Sequence, residues 1–217
     1  MRLILFILLG GGFLCFSGYQ KYLVNSKTQE TPSTIKLAGL ESGGEISNNY
    51  LTLDEHWALY GAAVYYTRTK YNKEVKESTT VDYTYYPALS LQHPYMVKLT
   101  SLQERYGELS KVPDSEFPQL DTIDILIKTK KFKTVGDIPK FIDTKKDMTG
   151  LVINSINSLN NNERRLIKQS FPKINFNKIV IIEEDRKPSS TMTSFAMMGG
   201  GVFIILAGLL FAVKVRP

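Results

Sequence analysis

The sequence of 217 residues is short of the side chains that most reaction centres need: it has one cysteine and two histidines. The cysteine, Cys15, sits inside an apolar run, so the rest of the chain can form no internal disulfide, no cysteine-rich metal site and no Cys–His catalytic pair. His56 follows Asp54 and Glu55, but the spacing fits no metal-ligand pattern, and it reads as a turn residue with a solvated side chain. His93 precedes Pro94 and reads as a turn residue too. There is no G-x-S-x-G, no P-loop and no dinucleotide fingerprint. Residue types therefore assign no catalytic residue, no cofactor or cofactor-binding residue and no metal ligand. Carboxylates are the reactive type that remains. Glu183, Glu184 and Asp185 gather at a predicted strand end, but Arg186 and Lys187 follow at once and mark a solvated exit.

Acid is missing from both ends of the chain. Of the 27 basic residues, Arg2, Lys21, Lys214 and Arg216 flank two apolar runs; the other 23 face all 21 acids in the middle, which is nearly neutral. The net charge of +6 and the pI near 9.2 are thus mostly a property of the ends. Nucleic-acid binding needs a concentrated basic field, so no nucleic-acid partner is expected. Asn-x-Ser/Thr is also absent, which favours a bacterial origin for a chain of this kind.

What is abundant is apolar length. Residues 195–213 (FAMMGGGVFIILAGLLFAV) carry no charge and are followed by Lys214 and Arg216. At 1.5 Å per residue such a run matches a hydrocarbon layer of roughly 30 Å, and a core helix is rarely apolar on every face. A transmembrane helix is expected over 194–214. Residues 3–18 (LILFILLGGGFLCFSG) form a shorter run, about 16 residues and near the lower limit for a span. As an anchor over 1–22 the run uses Tyr19, Lys21 and Tyr22 at the interface; as a signal sequence it offers Cys15 and Ser17 at the small positions of a cleavage site. The anchor is the expectation. Each run holds a glycine triplet, Gly10, Gly11 and Gly12 and then Gly199, Gly200 and Gly201, and the second adds Gly208 and Ala212 four residues apart. Small residues let helix backbones approach, so these eight are the candidate helix-packing residues, for packing on each other or on a second copy.

Basic residues at both termini place them on the cytoplasmic side, and a long loop translocates largely regardless of its charge. The expected location is a bacterial inner membrane with the domain outside the cytoplasm. From Pro188 only a short stretch leads to the second run, so the domain lies close to the bilayer.

Residues 23–33 (LVNSKTQETPS) read as a linker, and 34–188 as an α+β domain dominated by strands. Strands are expected over 35–40, 50–53, 57–69, 79–90, 123–133, 149–156 and 178–183, with 57–69 and 79–90 forming a hairpin around the charged stretch 70–78. Pro87 limits how far the second hairpin strand runs as an interior one. Tyr66, Tyr71, Tyr83 and Tyr85 fall in this hairpin and suit cross-strand packing. Lys128, Lys130, Lys131 and Lys133 read as guards on an exposed or edge strand. Helix is expected over 160–170, where Asn160 and Glu163 have capping-box spacing and Pro172 follows the end. Residues 110–120, with Pro113 and Pro118, read as a loop.

The fold expectation is a β-dominated mixed α+β domain flanked by two transmembrane helices. With no catalytic set, the functional expectation is a membrane-proximal interaction domain, a non-enzymatic assembly or accessory factor. Its partners would be the lipid bilayer and other membrane proteins or a second copy. The alternative is a tethered enzyme acting through carboxylates on an envelope polymer or lipid headgroup.

Overall fold

The structure is a computed structural model and describes residues 2–70, 78–120, 122–154 and 159–214. In chain order the elements are α1 (Arg2–Asn25), β1 (Ser33–Ile35), α2 (Leu37–Glu41), β2 (Tyr50–Leu53), β3 (His56–Leu59), β4 (Val64–Lys70), β5 (Ser78–Ser90), α3 (Pro94–Tyr106), β6 (Ile125–Thr129), β7 (Ile142–Lys145), β8 (Met148–Val152), α4 (Asn161–Ser170), β9 (Val180–Glu184) and α5 (Thr191–Lys214). They form two compact units, one made by α1 and α5, the other running from Thr31 to Arg186. Tyr71 and the rest of 71–77, together with 155–158, lie outside the described residues.

The Thr31–Arg186 unit is mixed α+β. Its strands form one curled sheet in the order β1-β2-β8-β9-β6-β5-β3-β7, with β4 also on β5. β1 runs parallel to β2 and β6 parallel to β9; the other pairs are antiparallel. β5 organises the curl because its 13 residues serve several neighbours. One side pairs with β6, while the other pairs with β4 up to Tyr85 and with β3 from Ala88 onward. The switch leaves Tyr86 and Pro87 without a strand partner on that side, and this is where a proline, which has no N–H to donate, is tolerated. β5 is therefore interior despite Pro87. A register shift between Tyr66 and Thr67 adds a bulge to the β4–β5 hairpin.

Alternation along each strand divides the core. Leu51, Leu53, Ala58, Tyr86, Ala88, Ile125, Ile127, Met148, Val152 and Ile182 pack on one face with Leu37 and Leu40 of α2. Tyr85, Leu126, Ile153 and Ile181 face the other way and meet Ile167 of α4. A third cluster joins Leu59 and Leu89 to Met96 and Leu99 of α3. Glu41, at the end of α2, is bonded to Ser90, at the end of β5: its carboxylate accepts from the Ser90 N–H (2.7 Å) and hydroxyl (2.5 Å).

Several expectations change. The segment 35–40 is helical after Ile35, because Leu37 and Leu40 reach the core from one turn. Residues 57–69 split into β3 and β4, with a 3-10 turn at Tyr60–Ala62 between them. The turn expected at His93 and Pro94 is the start of α3, Pro94–Tyr106: Pro94 opens the helix, Met96, Leu99 and Leu102 give it a buried stripe, and Gly107 ends it at φ +77°. His93 is its N-cap, its Nδ1 accepting from the Tyr95 N–H at 3.2 Å. α4 has the expected capping box, with Asn160 Oδ1 accepting from the Glu163 N–H and Glu163 Oε2 from the Asn160 N–H, each at 2.9 Å.

Candidate functional site

The α1–α5 unit is an antiparallel helix pair built inside out. Where side chains are described, the buried positions of α1 are Gly11, Gly18 and Asn25, and those of α5 are Ser194, Gly201 and Gly208. Both sets repeat every seven residues, the spacing that keeps one face of a helix against its partner in a left-handed supercoiled pair. The large apolar side chains point outward: Phe6 is 72% exposed, Phe13 71%, Phe203 73% and Leu210 73%. This reverses the pattern of a water-soluble helix pair, where such residues would form the seam.

The seam is set by backbone approach. A Cβ on Gly11 would stand 2.7 Å from Ile205 Cγ1 and 2.8 Å from Gly201 O; on Gly18, 2.8 Å from Met198 Cγ and 2.9 Å from Ser194 O. On Gly201 it would lie 2.6 Å from both Cys15 Sγ and Gly11 O, and on Gly208 2.8 Å from Ile7 Cγ2. Gly10, Gly12, Gly199 and Gly200 meet nothing within 4 Å, and Ala212 is half-buried. Of the eight candidate packing residues the pair thus brings Gly11, Gly201 and Gly208 into its contact, while four glycines face away from it. Polar atoms close the seam. The Cys15 thiol donates to Met198 O (3.4 Å), Asn25 Nδ2 donates to Ser194 Oγ (3.2 Å), and the Ser189 hydroxyl donates to Asn25 Oδ1 (3.4 Å). Gly18, Asn25 and Ser194 were missed in the sequence, although their seven-residue spacing from Gly11 and Gly201 was the available signal.

In the Thr31–Arg186 unit, the densest polar cluster surrounds Glu163. Its Oε1 accepts from the Tyr85 hydroxyl (2.9 Å) and from Lys128 Nζ (3.0 Å), while Oε2 serves the helix cap. Lys128 Nζ lies 4.4 Å from the Tyr83 ring centre, and Tyr66 stacks on Tyr83 at 5.3 Å. Burial opposes the charge on Glu163, but the Asn160 N–H and Lys128 outweigh it and hold the carboxyl below its usual range. Burial, reinforced by Glu163, pushes the Tyr83 and Tyr85 phenols well above theirs. A carboxylate committed to three donors, beside two neutral phenols, is equipped for packing rather than proton transfer.

The lysine run and the acidic exit neutralise each other. Lys130 pairs with Glu183 (2.6 Å), Lys131 with Glu184 (2.6 Å) and Asp185 (3.0 Å), and Arg186 returns to Glu183 (2.6 Å). β6 lies between β5 and β9, so these lysines do not guard an edge strand. His56 is likewise not solvated. It is fully buried in β3, with Nδ1 2.7 Å from Asp54 O, a contact that requires the ring proton on Nδ1. Nε2, with Thr84 Oγ1 and the Tyr86 hydroxyl, has no hydrogen-bond partner among the described residues. Burial lowers the His56 pKa; the Asp54 carbonyl and the charges of Asp54 and Glu184 pull the other way and do not prevail.

Among the described residues the surface grooves include one of about 250 Å³ beside Gln119, Ile123 and Phe171 and one of about 230 Å³ beside Tyr60, Tyr65 and Val135. Neither is lined by an acidic side chain. Among the described residues no cluster of three His, Cys, Asp or Glu side chains could hold a metal ion. α5 contains one stretch, Thr191–Ala212, that is long and apolar enough to cross a membrane. Comparison with protein families, with curated proteins and with solved structures finds no match.

Proposed function

We propose that this chain is an integral membrane protein in which α1 and α5 both cross the bilayer as one glycine-seamed hairpin. The Thr31–Arg186 unit is then held at the membrane surface as a non-enzymatic assembly or accessory factor. The observation that carries the reading is the inverted hairpin, with glycine, serine and asparagine inside and phenylalanine and leucine outside. In water that surface would be costly; in lipid the tails cover it and the small residues give the helices their contact. Because the helices are antiparallel, both termini lie on one side and the domain on the other. The basic termini put that side in the cytoplasm, and a bacterial inner membrane suits the lack of glycosylation sequons. Binding is favoured over carboxylate chemistry by the pairing of Glu163, Glu183, Glu184 and Asp185 with lysine or arginine.

The test is reporter-fusion mapping of both termini in intact cells, with sequencing of the mature N-terminus, followed by crosslinking in native membranes and affinity capture. An intact N-terminus, both termini cytoplasmic and recovery of one reproducible membrane partner are expected. Cleavage after residues 15–18 overturns the two-span anchor. Recovery of this chain alone overturns assembly with another protein.

A further inference from the structure

Between β6 and β7 the chain makes a loop, 130–141, that exposes what soluble surfaces usually hide. Phe141 is 79% exposed, Val135 46% and Ile142, the first residue of β7, 37%. Lys133 and Lys140 stand on the same loop and have no acidic partner among the described residues, in contrast to Lys130 and Lys131 at its base. The loop's one acid, Asp137, is turned back onto the loop itself, accepting from the N–H groups of Lys133 (3.0 Å) and Thr134 (2.8 Å). The Lys133 ammonium donates to the Lys130 carbonyl (2.9 Å), so the loop presents separate apolar tips between cations that no carboxylate neutralises among the described residues, not a flat apolar face of the sort that meets another protein.

Its base is fastened at the point where the chain leaves the sheet. β6 and β9 are parallel, so the residues following each emerge at the same end, and Lys131 Nζ joins Asp185 Oδ2 at 3.0 Å. Asp185 is six residues before Thr191, where the apolar helix α5 opens. That leash is too short for the loop's base to lie far from a bilayer containing α5.

We infer that the 130–141 loop is a second, interfacial membrane contact, with Val135 and Phe141 entering the headgroup layer and Lys133 and Lys140 taking anionic headgroups. The inference rests on the proposed anchoring. Aromatic and aliphatic tips partition to that layer, and lysine stems can extend along it while the ammonium meets phosphate.

The test uses the full chain in nanodiscs, with Cys15→Ala and one new cysteine carrying an environment-sensitive fluorophore. Gly136→Cys reports on the loop without removing either tip, because a side chain there meets only Thr134 Oγ1 at 3.7 Å. Glu104→Cys on α3 is the exposed control, and Phe203→Cys reports on α5. With phosphatidylglycerol present, shallow nitroxide lipids should quench position 136 and leave position 104 unquenched, while nitroxides placed deep in the acyl chains should quench position 203. Phe141→Ser should reduce the quenching. Lys133→Ala with Lys140→Ala should lower the bound-to-unbound ratio of the loop roughly tenfold or more on anionic bilayers. Quenching at 203 but none at 136 overturns the inference alone. Shielding of 136 from aqueous iodide without lipid quenching means that a protein covers the loop, and also overturns it. No quenching at 203 overturns the anchoring, and the inference with it.

Discussion

Gly201 and Gly11 face each other in mid-hairpin so closely that a Cβ on Gly201 would lie 2.6 Å from Gly11 O. The atom it would strike is backbone, which cannot rotate aside as a side chain can. Gly201→Ala should therefore weaken the α1–α5 pair by about 1–3 kcal/mol, the usual cost of overpacking a close contact. Gly200→Ala is the matched control, since nothing lies within 4 Å of its position, and better helix propensity makes it neutral or stabilising by up to about 1 kcal/mol. Denaturation of the two variants in mixed micelles, read by crosslinking between the helices, checks the difference. Equal behaviour of the two would remove the seam as the basis of the pairing.

How far the sequence reveals this arrangement depends on the range of the interactions. The cap of α4 is legible because Asn160 and Glu163 are three residues apart and bond to each other's backbone. The β4–β5 hairpin is legible for the same reason. The glycine runs announce close helix packing, but which glycines face the partner depends on a helical phase that only Asn25 and Ser194, at the far ends of the two sets, disclose. α3 is obscured because His93 and Pro94 resemble a turn, although the same proline is also the favoured first residue of a helix. The status of the lysine run is not legible at all. Its partners Glu163, Glu183 and Glu184 are more than thirty residues away; the β6–β9 pairing brings Glu183 and Glu184 across, and the packing of α4 on the sheet brings Glu163. His56 is hidden likewise: Asp54 and Glu55 make its neighbourhood look wet, while β5 and β7 enclose it from both sides.

The Glu163 cluster makes a prediction about charge. Glu163→Gln keeps one acceptor, the amide oxygen, which can serve the Asn160 N–H so that the cap survives; the amide nitrogen then faces the Tyr85 hydroxyl, which can accept from it, and Lys128 is left largely buried without a counter-charge. The side chains of Lys128 and Glu163 are only 14% and 9% exposed, so screening by water is weak. The expected loss is about 3 kcal/mol, within the range for breaking one side of a buried pair. Adding Lys128→Met should recover part of it, because the stranded ammonium is then gone. Urea unfolding of the full chain in micelles, followed by fluorescence of the single tryptophan, Trp57, provides the measurement. Additive losses in the double variant would show that the two side chains do not act as a pair.

His56 makes a prediction about acid. In the folded chain burial lowers its pKa below the ordinary 6.5, so the unfolded chain takes up a proton there that the folded chain refuses. Stability from this group is then fully present above pH 6.5. It falls as the pH drops below that value toward the folded pKa, with a slope of up to about 1.4 kcal/mol per pH unit. Glu163 and Glu183 act in a different window. Their folded pKa values are lowered from 4.5, so their contribution holds above pH 4.5 and is lost only in stronger acid. A stability profile from pH 8 to 3 should consequently show two separate declines. His56→Gln, which cannot titrate, should flatten the first and leave the second in place. If the decline between pH 6.5 and 5 survives that substitution unchanged, the buried imidazole is not its source.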